Sequence, residues 1–309
     1  MKKFTIVMPS LNESSNEPRD TIESIYDTSN GELFDVIVID DNSNKKVELN
    51  EFKDVKLIRN DKRMGVDWCR QKGGEIATTP FLLFLDSHMR FRNDDYLVKM
   101  IDSLERETET VFCNVTLGMG YGITELKKCQ GKYYGADLKL VTAPEKGRPC
   151  RQIIEPKWCS YKNELEYQIQ CPLGASYFMT REWFNYVRGF KGLKSWGSSE
   201  PWVALKTYLA GGSCKIRTDI EVAHFFRSNS PFSTAIADLV YNKLYILKTI
   251  FPRELEEKLV AYLPKDTNYQ KAIKLTEENK GEICEEREYY SSIFKKDIYE
   301  VCNDLGIEI

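Results

Sequence analysis

Short apolar or β-branched runs alternate with helical patterns along the first 115 residues, and this alternation restricts the chain more than any other feature it has. Strands that alternate with helices predict βαβ units and a mainly parallel sheet. The expected strands are 4–8, 34–39, 55–58 and 81–85, with helices at about 17–26 and 66–77 between them. The run 81–85 is apolar throughout, as suits a strand in the middle of a sheet covered on both faces, and it stops at Asp86-Ser87-His88. A helix near 94–106 and a strand near 111–115 complete this half.

Further along, periodicity fades between 116 and 170 while Gly, Lys, Tyr and Pro become frequent, which predicts an irregular excursion with one β-ribbon. A strand at 175–179 runs into a helix at 181–187. A second helix, 201–210, ends at Gly211-Gly212 before a strand at 214–217. From residue 233 the pattern is mostly helical, broken at Pro252 and Pro264, and the charged stretch 277–288 reads as a solvated helix face. The expected division is an α/β domain over 1–232 and a helical C-terminal extension over 233–309.

Composition removes several classes. The chain has 309 residues and a formal net charge of −3, which argues against a large basic surface for nucleic acid. Nine cysteines without a CxxC pair indicate reduced thiols and a cytoplasmic protein. The apolar run after Lys2-Lys3 ends at Pro9, too short for a signal peptide. No stretch reaches the ~20 apolar residues that span a bilayer, so no integral membrane segment is expected.

Three constellations carry candidate chemistry. In Asp86-Ser87-His88 the outer side chains of an extended segment project to one side, so a carboxylate oxygen and an imidazole nitrogen can approach one divalent ion; His88 is otherwise a polar loop residue. The only other histidine, His224, follows the apolar run Val222-Ala223 and is either a second imidazole ligand or a satisfied core histidine. Arg227, close by, is of the type that pairs with phosphate. In Trp196-Gly197-Ser198-Ser199-Glu200 an indole face could cover the apolar side of a pyranose. Glu200 could accept its hydroxyl hydrogens or act as a general base, unless Ser199 or Glu200 only caps the following helix. Asp40-Asp41-Asn42-Ser43, after the second strand, suits a base or ribose and is also a plain turn sequence.

Taken in order, these segments resemble the GT-A glycosyltransferases, specifically the family 2-like enzymes and the polypeptide N-acetylgalactosaminyltransferases, over roughly residues 4–232. Val7-Met8-Pro9-Ser10-Leu11-Asn12-Glu13 looks like the family's opening strand and loop, and Ile39-Asp40-Asp41-Asn42-Ser43 like its uracil-contacting turn. Arg63-Met64-Gly65 with Cys69-Arg70 is similar to its Arg-rich donor segment. Phe84-Leu85-Asp86-Ser87-His88 is similar to its metal motif, Trp196 to Glu200 to its Trp-Gly-Gly-Glu segment, and Val222 to Arg227 to the strand of its third metal ligand.

The resemblance implies a metal-dependent transferase that moves a sugar from a nucleotide sugar, a UDP-sugar first, to an acceptor hydroxyl. Asp86, His88 and His224 would hold Mn²⁺, with Mg²⁺ as the alternative. Pro9, Asn12, Glu13, Asp41, Arg63, Asp86, Trp196 and Arg227 would line the donor, Asp41 reading the uracil, and Glu200 would bind the donor sugar or act in catalysis. Ser198-Ser199 lengthens the Trp-Gly-Gly-Glu segment by one residue.

The acceptor stays open among a glycan, a protein and a modified nucleobase in DNA. The aromatic and Lys-rich stretch between Tyr121 and Lys162 suits any of them. The helical tail would contact the acceptor, form a homo-oligomer or brace the sheet. Two competitors are a sugar-nucleotide pyrophosphorylase, for which Pro9 to Glu13 lacks the expected glycine-rich loop, and a non-catalytic nucleotide-sugar-binding relative, against which the intact Asp86, His88, His224 and Glu200 argue.

Overall fold

A computed structural model of the chain describes residues 2–13, 16–120, 126–140, 153–159, 162–227 and 232–309. Strand β1 (Phe4–Ser10) leads through helix α1 (Glu17–Asp27) to β2 (Phe34–Asp40), and β3 (Val55–Arg59), α2 (Val66–Ile76) and β4 (Phe81–Leu85) follow. β1 pairs in parallel with both β2 and β4, and β2 in parallel with β3, so this part of the sheet is the βαβ array the sequence predicts. Successive side chains of a strand point to opposite faces. Ile6 and Met8 of β1 accordingly enter one apolar core with Ile22, Leu83 and Met100, whereas Val7 enters another with Phe84, Tyr177 and Trp202.

A three-residue strand absent from the sequence reading, β5 (Met89–Phe91), precedes α3 (Tyr96–Arg106) and β6 (Thr110–Met119). The irregular excursion holds β7 (Lys132–Tyr133), an antiparallel ribbon of β8 (Ala136–Leu140) and β9 (Ile154–Trp158), and β10 (Glu166–Gln168). Its residues 121–125, 141–152 and 160–161 lie outside the described residues. β11 (Ser176–Thr180) enters α4 (Arg181–Tyr186), and α5 (Ser199–Leu209) precedes β12 (Ser213–Phe225). The strand order is β10-β12-β6-β11-β4-β1-β2-β3, with β11 antiparallel between β4 and β6 and β12 parallel to β6.

β12 merges two stretches that the sequence separates. Its pairing with β6 shifts register between Arg217 and Glu221, an irregularity that lets one strand continue for 13 residues and deliver His224 to the same edge as β5. The chain then forms α6 (Ile236–Ile250), α7 (Arg253–Ala261), α8 (Thr267–Glu278), α9 (Lys280–Ile293) and α10 (Ile298–Leu305). Pro252 and Pro264 fall in the breaks before and after α7, as expected. The charged stretch 277–288 is not wholly solvated: Glu286 is fully buried and accepts from Arg188 and from Lys191 Nζ at 2.6 Å. The apolar cluster that starts at Val7 and Phe84 continues without interruption into Tyr245, Leu247, Tyr290 and Val301 of the C-terminal helices.

Candidate active site

The carboxyl edge of β4 meets the end of β12 through β5. Antiparallel pairing places His224 opposite Met89, and the Phe225 N–H donates to the His88 carbonyl at 3.1 Å, so the two imidazoles become neighbours. His88 Nε2 and His224 Nε2 stand 3.0 Å apart, and His224 Nε2 lies 3.5 Å from Asp86 Oδ2. All three ligand atoms fall within 4.8 Å of one another, a group able to hold a metal ion. Two donors on one ion at bonds of about 2.1 Å sit roughly 3 Å apart, so this spacing needs little adjustment.

Charge states fit the same use, because metal ligands must be deprotonated. Burial opposes ionisation of Asp86, yet contact with His224 and the nearby Arg70 and His88 outweigh it and hold the carboxyl well below its ordinary range. Burial also lowers the His224 pKa, against the pull of Asp86, which favours the neutral ring. Glu13 Oε2 lies 3.3 Å from His88 Nδ1 but makes no hydrogen bond to it. Arg227 Nη2 donates to Glu13 Oε1 at 2.9 Å and lies 2.7 Å from His88 Nδ1. Three buried atoms around this cluster, Glu13 Oε2, His224 Nδ1 and Arg227 Nη1, have no hydrogen-bond partner. Buried polar atoms are seldom left so, and a cationic arm without a partner suits an anion such as a diphosphate.

A cavity of about 680 Å³ opens beside the cluster, within the usual range for small-molecule sites. On its other side Arg70 of α2, nearly buried, donates from Nη2 to Asp86 Oδ1 at 3.0 Å and to the Gly174 carbonyl at 2.8 Å. Its Nη1 donates to Glu200 Oε1 at 3.2 Å. One guanidinium therefore ties a candidate metal ligand to the candidate sugar-binding carboxylate. Asp67, one turn earlier, is buried and accepts from the Ser199 hydroxyl. Burial pushes its carboxyl up to about 7, with Ser199 and Arg70 pulling the other way. Tyr133, Trp158 and Phe226 form a cluster of rings on the cavity wall, with centroids 4.1 to 6.1 Å apart.

Comparison with known proteins places this geometry. Residues 5–151 match the family model described as Glycosyl transferase family 2. The solved structure of GalNAc-T7 with UDP, GalNAc and Mn2+ superimposes with a TM-score of 0.75 at 16% identity, over 98% of this chain and 57% of that one. The fold is that of the GT-A glycosyltransferases. S. aureus TarS 1-349, solved in complex with UDP-GlcNAc, shares it more loosely, with a TM-score of 0.51 and 12% identity over 99% of this chain and 92% of that one. In sequence the chain resembles Polypeptide N-acetylgalactosaminyltransferase 4 of Caenorhabditis elegans, 24% identical over 75% of this chain and 40% of that protein. It also resembles Putative polypeptide N-acetylgalactosaminyltransferase 13 of Drosophila melanogaster, 28% identical over 74% of this chain and 42% of the relative. The alignments thus span only about two fifths of these relatives.

Within this GT-A frame, Pro9, Glu13, Asp41, Arg63, Asp86, His88, Trp196, Glu200, His224 and Arg227 all line the one cavity. Asn12 is not among the residues that line it. Its Oδ1 accepts from Asn44 N–H at 2.8 Å and its own N–H donates to Ser43 Oγ at 2.9 Å, which ties the β1 loop to the turn after β2. Asp41 accepts from the Met64 and Gly65 N–H groups, both at 2.7 Å, and from Asn60 Nδ2 at 2.8 Å, so its carboxylate first anchors the start of α2. Arg63 stacks on Phe232 at 4.9 Å and donates to the Ser233 carbonyl at 2.7 Å. Trp196 keeps 50% of its surface exposed. Sequence reasoning missed Asp67 and the bridging role of Arg70, since neither position carries a motif signal beyond an Arg-rich segment.

Proposed function

We propose that this protein is a metal-dependent glycosyltransferase that moves a sugar, an N-acetylhexosamine first, from a UDP-sugar to an acceptor hydroxyl. The observation that carries this reading is the convergence of Asp86 with the chain's two histidines at the mouth of a cavity large enough for a nucleotide sugar. The UDP, GalNAc and Mn2+ named with the GalNAc-T7 structure and the UDP-GlcNAc named with TarS support the choice of donor and cation.

A divalent cation on Asp86, His88 and His224 would supply electrostatic stabilisation for the negative charge that develops on the departing UDP. The protein's own groups do the rest. Glu13 holds Arg227 against the His88 ring, and the unpartnered Nη1 of Arg227 is placed to take a diphosphate oxygen. Glu200 Oε1 is already committed to Arg70, which leaves Oε2 to accept a donor hydroxyl and favours a sugar-orienting role over that of a general base. The Tyr133–Trp158–Phe226 rings, inclined to one another by 56 to 64°, give the acceptor an aromatic surface on the same cavity.

Purified protein incubated with Mn²⁺ and a panel of UDP-sugars should release UDP, fastest from a UDP-N-acetylhexosamine, and chelation should stop the release. A protein that neither binds UDP nor liberates it from any member of the panel ends this reading.

A further inference from the structure

The extra residue in Trp196-Gly197-Ser198-Ser199-Glu200 has a structural use. Ser195, Gly197 and Ser198 all take left-handed backbone, at φ 58°, 102° and 72°, so the added length is folded into a tight loop before α5. For serines such angles are costly and persist only where the surroundings impose them. Two contacts with α2 do so. Gly65 bridges Ser195, and a Cβ on Gly65 would come within 2.3 Å of the Ser195 Cα, so the two backbones touch. One turn along, the Ser199 hydroxyl donates to Asp67 Oδ1, and both residues are buried. Ser198 provides no side-chain cap for the helix that follows, and this hydroxyl contact joins the Arg70–Glu200 pair in tying the first turn of α5 to α2.

Glu200 is the next residue. Its carboxylate lies between Arg70 of the same α2 helix and Gly174, where an added Cβ would fall 2.7 Å from Oε1. Gly65 at the N-terminus of α2 and Asp67 and Arg70 within it thus hold 195, 199 and 200 in turn. We propose that Asp67 and Ser199 are positioning residues, acting through the first turn of α5 to set the aim of Glu200 at the donor sugar. The inference rests on the transferase reading for its kinetic readout alone.

Ser199→Ala and Asp67→Ala test it together with the conservative Ser199→Thr and Asp67→Asn, each of which keeps the hydrogen bond. UDP binding, followed by calorimetry, should stay within about twofold in all four. Turnover of the UDP-sugar should fall roughly tenfold to a hundredfold in the two alanine variants, as for a slightly misplaced contact, and largely return in the other two. Unchanged turnover in both alanine variants overturns the inference, and so does a parallel loss of UDP affinity and turnover, which would show a general structural role. Should the unaltered protein turn over no UDP-sugar, the transferase reading fails by itself. The crystal structure of Ser199→Ala then decides the positioning claim: an intact Arg70–Glu200 pair refutes it and a broken pair sustains it.

Discussion

Replacing Asp67 with asparagine should change how the stability of the fold depends on pH. The carboxyl is fully buried and burial raises its pKa from the ordinary 3.8 to about 7. Between those values the folded protein keeps a proton that the unfolded chain has lost, so the native state binds more protons and stability falls as pH rises through the window. Below it both states are protonated and the contribution vanishes; above it the whole penalty of a buried anion is present. At roughly 1.4 kcal/mol for each pH unit, the rise corresponds to a ceiling of about 4 kcal/mol. An asparagine has no proton to lose there, while Arg70, Cys69 and Glu200 nearby are common to both proteins and cancel in the comparison. Melting temperatures of the two proteins at matched pH between about 4 and about 8 measure the effect, since each kcal/mol moves a chain of this size by about 1.5 °C. The gap should shift steadily in favour of the asparagine variant as pH rises, whatever offset the buried amide introduces. Parallel curves across the range would refute the claim that Asp67 holds a proton in the folded state.

Two other substitutions probe the site directly. His224→Ala should leave a cooperative thermal transition while weakening Mn²⁺ binding at least about a hundredfold, more than loss of a partner behind the ligands would do; Mn²⁺ paramagnetic resonance reads this, and unchanged affinity would remove His224 from the ligand set. Gly174→Ala should depress UDP-sugar turnover, because the new Cβ would fall 2.7 Å from Glu200 Oε1 and push that carboxylate away from Arg70. Equal turnover would show that the aim of Glu200 does not matter.

The Asp86–His88–His224 cluster was legible in the sequence because much of its signal is local. Asp86 and His88 flank one residue after a wholly apolar strand, and a chain with only two histidines has few ways to place the second. The parallel strands were legible for the same reason: runs such as 81–85 carry their burial in their composition. What stayed hidden depends on long-range pairing. β5 is three residues long and exists because β12 lies beside it, and β12 could not be read as one strand because a register shift interrupts its alternation between Arg217 and Glu221. Asn12 and Asp41 sit in segments that resemble the family, and their bonds to Asn44, Met64, Gly65 and Asn60 are ones that no spacing rule supplies. Asp67 and Glu286 look like ordinary surface acids on helices, and only the packing of α2 and α9 reveals them as buried.

That packing also bears on whether the C-terminal helices are separable from the donor site. Glu200 is the second residue of α5, and every later residue of that helix is buried. Trp202 meets Tyr245 of α6 and Tyr290 of α9 edge-on, at 5.8 and 5.4 Å. Lys206 is fully buried, burial drives its pKa well down, and its Nζ donates to the Val187 and Gly189 carbonyls at 2.7 and 2.6 Å beside the Tyr290 hydroxyl at 3.3 Å. A chain ending at residue 232 would strip α5 of both tyrosines and leave Trp202 facing water. Losing the contacts of one large aromatic side chain in a core already costs about 3 to 5 kcal/mol, a large part of the 5 to 15 kcal/mol that a folded domain has in hand. The truncated chain should therefore fail to give a cooperative melting transition and should be cleaved rapidly by protease within α5. If it instead melts cooperatively and binds UDP as tightly as the full chain, α5 is held by the sheet alone and the tail serves something other than the site.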